Sequence, residues 1–334
     1  MTLLAWLLVC VVWSTVWLFI KLGVSDVPPF AFAATRLLMA LAVLLPIAFL
    51  RRARHPLTRD DRRLIVTTGT MLFTGNYALV YWGAQHISSG LMAVLQAITP
   101  ACALVVSQWL LPDERITTAK GVGLALGLLG VGVIFADELQ LSGGRSAAAC
   151  LAVTTAAFIV GWAYVLVRAH GRRLPSTTLM SGQIASGAGP LLLLSIATEG
   201  NPLATPWTAS AIAAVVYLAL AGSVLAFWLN YWLMARIGPT RMLLTSILEP
   251  LLAVLLGAMV LDERLTSRVA LGGALVLASV ALVMKREKPL VGSPGPEDQH
   301  HRVARNREQG HRRAFRRVGN RAGRPGSTSR QHRE

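Results

Sequence analysis

Glu249 is a carboxylate set alone in a long apolar stretch, SILEPLLAVLLGAMV, near the end of the apolar part of the chain. It follows Arg241 by eight residues, about 12 Å along a helix, which is close to the middle of a hydrocarbon core about 30 Å thick. An ionised acid at that depth is costly unless it is paired or protonated. Two interpretations stay open: Glu249 exchanges a proton or binds a cationic group, or it is a structural acid that caps an amide near Pro250 or pairs with an arginine.

Arg36 is the second charge inside an apolar segment. It lies six residues beyond Phe30, about 9 Å along a helix that begins there. A guanidinium at this depth could bind a ligand carboxylate, or it could extend its charged end to the interface along its aliphatic stem. We favour a structural or gating role for Arg36.

Aromatic, hydroxyl and amide side chains recur inside other apolar segments. They are Trp13, Ser14, Trp17, Asn76, Tyr77, Trp162, Tyr164 and Asn230. An amide inside a membrane must find a partner on another helix or on a ligand. We therefore keep two interpretations of this set, a substrate pathway and ordinary packing between helices.

Pro100 and Pro250 interrupt two apolar segments. Each removes a backbone hydrogen bond and frees a carbonyl one turn earlier. They are either hinges that bend during a conformational change or static kinks.

The sequence carries no recognisable catalytic or metal-binding motif. A Walker sequence, GxSxG, HExxH and metal-spaced cysteine or histidine clusters are all absent. Cys10, Cys102 and Cys150 lie in apolar segments without CxxC spacing, which is typical of small core residues. We expect no catalytic residues, no cofactor, no metal and no enzyme activity.

The composition indicates a membrane protein. Hydrophobic residues make up 54% of the 334 residues and charged residues 14%, whereas soluble domains carry about 25% charged residues. Apolar stretches of about 20 residues are long enough to cross a bilayer as helices. We predict an all-α polytopic membrane protein with ten transmembrane helices, near residues 3–22, 30–50, 64–84, 88–111, 118–136, 148–168, 177–197, 208–234, 241–261 and 267–285.

A long stretch of the sequence occurs twice. Residues 81–115 recur as residues 231–264 at an offset of 150, which becomes 149 after the extra Pro112 of the first copy. A repeat of this length indicates duplication. One difference between the copies is chemical, because Thr99 of the first stands where the second has Glu249.

Lysine and arginine are unevenly divided between the loops. The loops at 51–63 and 168–173 are basic, whereas the loops predicted on the other side carry only Arg145, Arg264 and Arg268. Basic loops stay in the cytoplasm, which predicts that both termini are cytoplasmic. Each half then has five helices and the halves start on opposite sides, so they form inverted repeats, an arrangement typical of transporters with a site near the midplane.

With its internal repeat and ten predicted helices, the chain resembles the EamA-domain family of the drug/metabolite transporter superfamily. The resemblance rests on the runs WSTVWLFIKLG, PPFAFAATRLLMALAVLL, YWGAQHISSGLMAVLQAITP, GWAYVLVR and ILEPLLAVLLGAMVLDERL. It implies two EamA repeats, at 1–137 and 148–285. It also implies a central cavity lined by the first, third, fourth, sixth, eighth and ninth helices.

The same resemblance implies secondary transport, commonly export, of a small metabolite such as an amino acid or a related amphipathic compound. Independently of the resemblance, the depth of Glu249 and its difference from Thr99 make it the expected site of any proton coupling. A sugar-phosphate or nucleotide-sugar transporter is an alternative, although Arg36 is the one basic residue available to such a substrate. A membrane enzyme or a non-transporting accessory subunit is the other alternative. We expect a monomer or homodimer in the plasma (inner) membrane, with lipid and a small-molecule substrate as partners.

The segment 286–334 is rich in arginine, glycine and histidine and carries a single aromatic residue. From Lys285 onward fourteen lysines and arginines face five acids. This composition predicts a disordered cytoplasmic tail. Basic tails bind nucleic acid or anionic lipid head groups; we favour lipid and expect no nucleic acid.

Overall fold

A computed structural model describes residues 2–50, 57–111, 117–141, 144–171, 174–202, 204–226, 228–230, 232–233, 236, 245–263 and 266–284. All of them belong to one compact unit within residues 1–285. The predicted tail at 286–334 lies outside the described residues.

Every regular element in the described ranges is helical, and no strand occurs there. The helices are α1 (Thr2–Asp26), α2 (Pro29–Leu50), α3 (Arg59–Gly69), α4 (Asn76–Ala84), α5 (Ser89–Gln96), α6 (Thr99–Leu110), α7 (Thr118–Leu141), α8 (Gly144–His170), α9 (Ser176–Glu199), α10 (Ala209–Tyr217), α11 (Thr245–Val260) and α12 (Ser267–Val283). Two π-helical stretches, Thr70–Gly75 and Leu218–Leu225, join α3 to α4 and extend α10.

Within the described residues, seven spans are long and apolar enough to cross a membrane. They are Thr2–Asp26, Pro29–Ile47, Ser89–Leu110, Thr118–Glu138, Gly144–His170, Thr177–Glu199 and Ala209–Asn230. The helices α11 and α12 are apolar but shorter. The predicted all-helical class with several membrane spans is confirmed, while the number of ten crossings stays a prediction.

Hydroxyl side chains cap the N-termini of four of these helices. Thr58, Ser88, Thr208 and Thr266 each accept a hydrogen bond from the backbone amide three residues later. The first amides of a helix have no partner within the helix, and an N-cap hydroxyl supplies one. Short loops can therefore reverse the chain between neighbouring spans without leaving these amides unpaired.

The helices of one repeat pack mainly against helices of the other. Extensive contacts between the repeats include those of α2 with α9, α5 with α11, and α7 with α12. Helix α1 packs on α10 and α11, and its counterpart α8 packs on α4 and α6. This exchange of equivalent contacts is what a two-fold relation between the repeats requires.

Glycines allow α7 and α12 to approach each other closely. A Cβ atom added to Gly130 would lie 2.6 Å from the carbonyl oxygen of Gly272, and one added to Gly272 would lie 2.7 Å from the carbonyl oxygen of Gly130. Small residues permit such backbone contact between helices in lipid. The glycine-rich run of α7 therefore serves helix packing.

Candidate functional site

A cavity of about 640 Å³ lies among helices of both repeats. Its polar and aromatic wall is formed by Trp13, Trp17, Arg36, Phe73, Asn76, Tyr77, Tyr81, Gln96, Thr99, Tyr164, Gln183, Ser246 and Glu249, together with Pro100 and Pro250. Pockets for small molecules commonly enclose about 300–1,000 Å³. The cavity is therefore large enough for a small metabolite.

The helices around this cavity differ in part from those that the family resemblance implies. The first, third, fourth, sixth and ninth predicted segments contribute to the wall, as expected. Arg36 of α2, Gln183 of α9 and Met284 add the second, seventh and tenth segments. None of the described residues of the eighth segment lines the cavity.

Glu249 faces the cavity from α11. Its Oε1 atom accepts a hydrogen bond of 3.0 Å from the indole Nε1 of Trp17. None of the described residues supplies a cation to Glu249. Since a carboxylate has about four acceptor positions, this acid keeps capacity for a proton or a positively charged ligand.

Arg36 is 4% exposed, although it lines the cavity. Its Nη1 donates to the hydroxyl of Tyr81 at 2.9 Å, and its Nε and Nη2 donate to Ser223 Oγ at 3.4 and 3.3 Å. The guanidinium also lies 5.2 Å from the ring centre of Tyr77. These partners are neutral, and the described residues provide no acid for Arg36.

Amides and hydroxyls of the cavity wall are bonded across helices. The side chain of Gln96 donates to Asn76 Oδ1 at 2.9 Å, and Asn76 donates to the carbonyl of Leu72 at 3.3 Å. Gln183 donates to Thr68 Oγ1 at 2.8 Å. The packing interpretation thus accounts for the bonds of Asn76, although its side chain also borders the cavity.

The two π-helical stretches occupy equivalent positions, because Thr70–Gly75 shifted by 150 residues falls within Leu218–Leu225. One stretch directly precedes Asn76 and Tyr77, and the other contains Ser223, which holds Arg36. Short π-helical insertions are frequent at functional sites. Asn76 and Tyr77 line the cavity and Ser223 is buried, so each stretch lies beside or contains polar side chains of the interior.

Some of the remaining predicted site residues line the cavity and others do not. Trp13, Tyr164, Pro100 and Pro250 line the cavity. Trp162, Ser14 and Asn230 do not line it. Trp162 is 40% exposed and stacks edge-on against Phe158, whereas the fully buried Ser14 donates to the carbonyl of Cys10 at 2.6 Å.

Sequence reasoning missed Tyr81, Gln96, Gln183 and Ser223. Gln96 lies three residues before Thr99, one turn along the same predicted segment, so helical periodicity alone could have found it. No sequence pattern indicates Ser223, because its role depends on a π-helical stretch and on the approach of Arg36 from another helix.

A second polar feature lies at one end of the bundle. There Asp26, Asp137, Glu199 and Glu263 each bond to the other repeat; we call them the cross-repeat acids. Glu263 accepts from the backbone amide of Ser89 at 2.7 Å, from the hydroxyl of Ser89 at 2.8 Å and from the amide of Gly90 at 3.3 Å. These donors form the N-terminus of α5, where a negative charge is favoured.

The other three cross-repeat acids bind helix starts in the same way. Glu199 accepts from the amides of Phe30 and Ala31 at 2.8 and 2.7 Å, at the start of α2. Asp26 accepts from the hydroxyls of Thr208 and Ser210 at 2.6 and 2.8 Å, at the start of α10. Asp137 accepts from Thr266, the N-cap of α12.

Basic groups complete this end of the bundle. Lys21 Nζ donates to the carbonyl oxygens of Ala84 and Ile87 at 2.8 and 2.9 Å, and so satisfies the C-terminus of α4. Burial and the positive charges of Arg145 and Lys21 lower the pKa of His86 in the adjoining turn. These seven titratable groups, the four acids with Lys21, His86 and Arg145, lie in or beside loops that the charge pattern predicts on a single side of the membrane.

Comparison with known proteins gives consistent relatives across both repeats. The profile of the EamA-like transporter family matches residues 1–136 and 147–285. The uncharacterized transporter YoaV of Bacillus subtilis is 25% identical over 272 residues, which is 81% of this chain and 92% of the relative. The uncharacterized inner membrane transporter YedA of Escherichia coli is 28% identical over 274 residues, with 82% and 87% covered.

Two further similar proteins are a relative whose name states a function and a protein of solved structure. A Salmonella typhimurium protein named a probable amino-acid metabolite efflux pump is 26% identical over 284 residues, which is 82% of this chain and 91% of the relative. A crystal structure matches 84% of this chain and 95% of its own at a TM-score of 0.57 and 22% identity, and shares the fold. Because the family profile covers both halves of the helical bundle, this multi-pass membrane chain belongs to the EamA-like transporter family.

Proposed function

We propose that the chain is a secondary transporter of the inner membrane that exports a small amphipathic metabolite, such as an amino acid, by alternating access. The observation that carries this proposal is the cavity between the repeats. It combines aromatic rings with one carboxylate and one guanidinium, and neither charge has a charged partner among the described residues. The named efflux relative supports the choice of amino acids.

Alternating access requires one end of the bundle to close while the other opens. The cross-repeat acids give a physical account of closure at the end they occupy. Each of these bonds spans the two repeats, so separating the repeats at this end must break them. With both termini cytoplasmic and the repeats inverted, as the loop charges predict, this end faces outward.

Proton coupling follows from the surroundings of Glu249. A carboxylate within the membrane is most stable when it is protonated or paired, and Trp17 is its one hydrogen-bond donor among the described residues. We propose that Glu249 releases its proton when a positively charged substrate group arrives and regains it when that group leaves. Substrate and proton are then exchanged in opposite directions.

The alternative substrates and activities fit the cavity less well. A phosphorylated sugar would favour several cations, and the described wall offers Arg36 alone. Hydrolysis would need a nucleophile beside a base or a second carboxylate, and Glu249 is the one acid that the described wall contains. Transport without chemical change is the better match.

Flux in proteoliposomes tests this function. We expect the wild type to move a labelled amino acid unchanged and to accumulate it when a pH gradient is imposed. Glu249→Gln should abolish the pH-driven accumulation, while Glu138→Gln, in α7 and away from the cavity wall, should not. Recovery of a chemically altered product, or equal pH-driven accumulation by Glu249→Gln, would overturn the proposal.

A further inference from the structure

Arg36 lies inside the helical bundle without a negative charge beside it. Its side chain is 4% exposed, and its partners Tyr77, Tyr81 and Ser223 are all neutral. Glu249 borders the same cavity but forms no ion pair with Arg36. A guanidinium keeps its charge in proteins, and an uncompensated charge away from water is strongly disfavoured. The described residues therefore leave Arg36 in need of an anion from solution.

The surroundings of Arg36 contain unused hydrogen-bond donors. Arginine carries five N–H groups, and the bonds to Tyr81 and Ser223 use one hydrogen on each of its three nitrogens. One N–H remains on Nη1 and one on Nη2. The hydroxyl of Tyr81 accepts from Nη1 and donates to no described residue. The hydroxyl of Tyr77 forms no hydrogen bond with a described residue, and its ring centre lies 5.2 Å from the guanidinium.

These donors are held in place before any ligand arrives. Ser223 Oγ donates to the carbonyl of Leu218 at 3.1 Å, so its oxygen is turned to accept from Arg36. Tyr81 is fully buried, which fixes the other end of the guanidinium. Hydrogen bonds to a charged group are the strong ones, and donors enclosed in this way favour a small acceptor. A single negative charge is enough to neutralise Arg36.

We propose that Arg36, Tyr77 and Tyr81 form a binding site for a small monovalent inorganic anion, namely chloride. The anion accepts from the two remaining N–H groups of Arg36 and from the phenol hydroxyls, and it cancels the charge of the guanidinium. This site goes beyond the transport function proposed above and does not depend on it. Chloride is therefore expected to stabilise the folded chain even when no transported solute is present.

Thermal unfolding of the purified full chain tests this site without any flux. The melting temperature is measured in sodium chloride and in sodium gluconate at equal ionic strength, because gluconate is too bulky to lie among these donors. A ligand that binds only the folded state raises the melting temperature by mass action. With chloride tenfold above its dissociation constant, we expect a rise of about 2–5 °C over gluconate. Binding of radiolabelled chloride gives the dissociation constant directly.

Substitutions then locate the bound anion. Arg36→Gln should abolish both the rise in melting temperature and the binding of labelled chloride. Tyr77→Phe keeps the ring but removes the hydroxyl and should weaken chloride binding about tenfold; it tests the site even where Arg36→Gln fails to fold. Glu249→Gln removes a negative charge from the cavity wall and should bind chloride at least as tightly as the wild type. Arg145→Gln, which removes a cation outside the cavity wall, should bind it unchanged.

Three results would overturn the assignment. The first is a wild type with equal melting temperatures in the two salts and no bound chloride. The second is wild-type chloride affinity in folded Arg36→Gln or in Tyr77→Phe, which places the anion elsewhere. The third is acetate that binds more tightly than chloride and displaces it, which assigns the donors to the carboxylate of an organic ligand. A failure of the transport proposal leaves all three measurements interpretable, because none of them involves flux.

Discussion

Replacing Glu263 with glutamine should open the end of the bundle that the cross-repeat acids hold together. The glutamate accepts three hydrogen bonds from Ser89 and Gly90 at the start of α5. Glutamine keeps one acceptor oxygen but loses the charge and turns an amide NH₂ toward the donors. A hydrogen bond to a charged acceptor contributes about 1.5–3 kcal/mol, against about 0.5–1.5 kcal/mol for a neutral one, and a charge at a helix N-terminus contributes about 0.3–1 kcal/mol.

A net loss of about 2 kcal/mol is a reasonable midpoint, since the glutamine oxygen recovers part of the interaction. It corresponds to a change of about 30-fold in the equilibrium between closed and open forms. Labelling rates report this equilibrium directly. Thr99→Cys, in the cavity wall and with the three native cysteines removed, gives one thiol for a membrane-impermeant reagent. Labelling from the side of the acids should rise by about 30-fold in Glu263→Gln.

Two comparisons make this experiment decisive. Gly257→Ala should act in the same direction, because the added Cβ would lie 2.2 Å from Glu263 Oε2 and displace the carboxylate. Asp262→Asn removes the same charge from the adjacent exposed residue, whose backbone φ of 52° asparagine tolerates, and should leave labelling unchanged. Equal effects of Asp262→Asn and Glu263→Gln, or unchanged labelling in a folded Glu263→Gln protein, would refute the reasoning.

The remaining predictions concern the helix contacts and the indole beside Glu249. Gly272→Ala should lower the melting temperature, because overpacking against the carbonyl of Gly130 costs about 1–3 kcal/mol; Gly132→Ala, which meets no atom within 4 Å, should not lower it. Trp17→Phe should slow substrate exchange by about tenfold through loss of the bond to Glu249, whereas Trp162→Phe should leave exchange rates unchanged. An equal loss in both tryptophan variants contradicts a specific role of the indole N–H.

Much of the candidate site could be predicted from local sequence alone. A lone acid in an apolar run, a buried arginine and aromatic residues at helical spacing all point to an interior that is not purely apolar. The internal repeat also points to Glu249, because the second copy has this acid where the first copy has Thr99. Both of these residues line the cavity.

Other parts of the site depended on information that no local pattern carries. Trp162 and Trp13 stand 149 residues apart in matching helices, yet Trp13 lines the cavity and Trp162 faces outward. The repeat predicts equivalent helices, but the rotation of each helix within the bundle depends on its neighbours. The same holds for Ser14, whose hydroxyl satisfies its own helix instead of the cavity.

By itself, the sequence determined the helical class, the duplicated architecture and the presence of one acid and one arginine at depth, because hydrophobicity, repetition and charge are properties of the chain. The tertiary structure alone decided which side chains share a cavity, because long-range packing sets the face that each helix presents. It also decided the role of the cross-repeat acids. Each of them is an ordinary loop or helix-end carboxylate in the sequence, and it becomes a bond between repeats only where another helix begins within hydrogen-bonding distance.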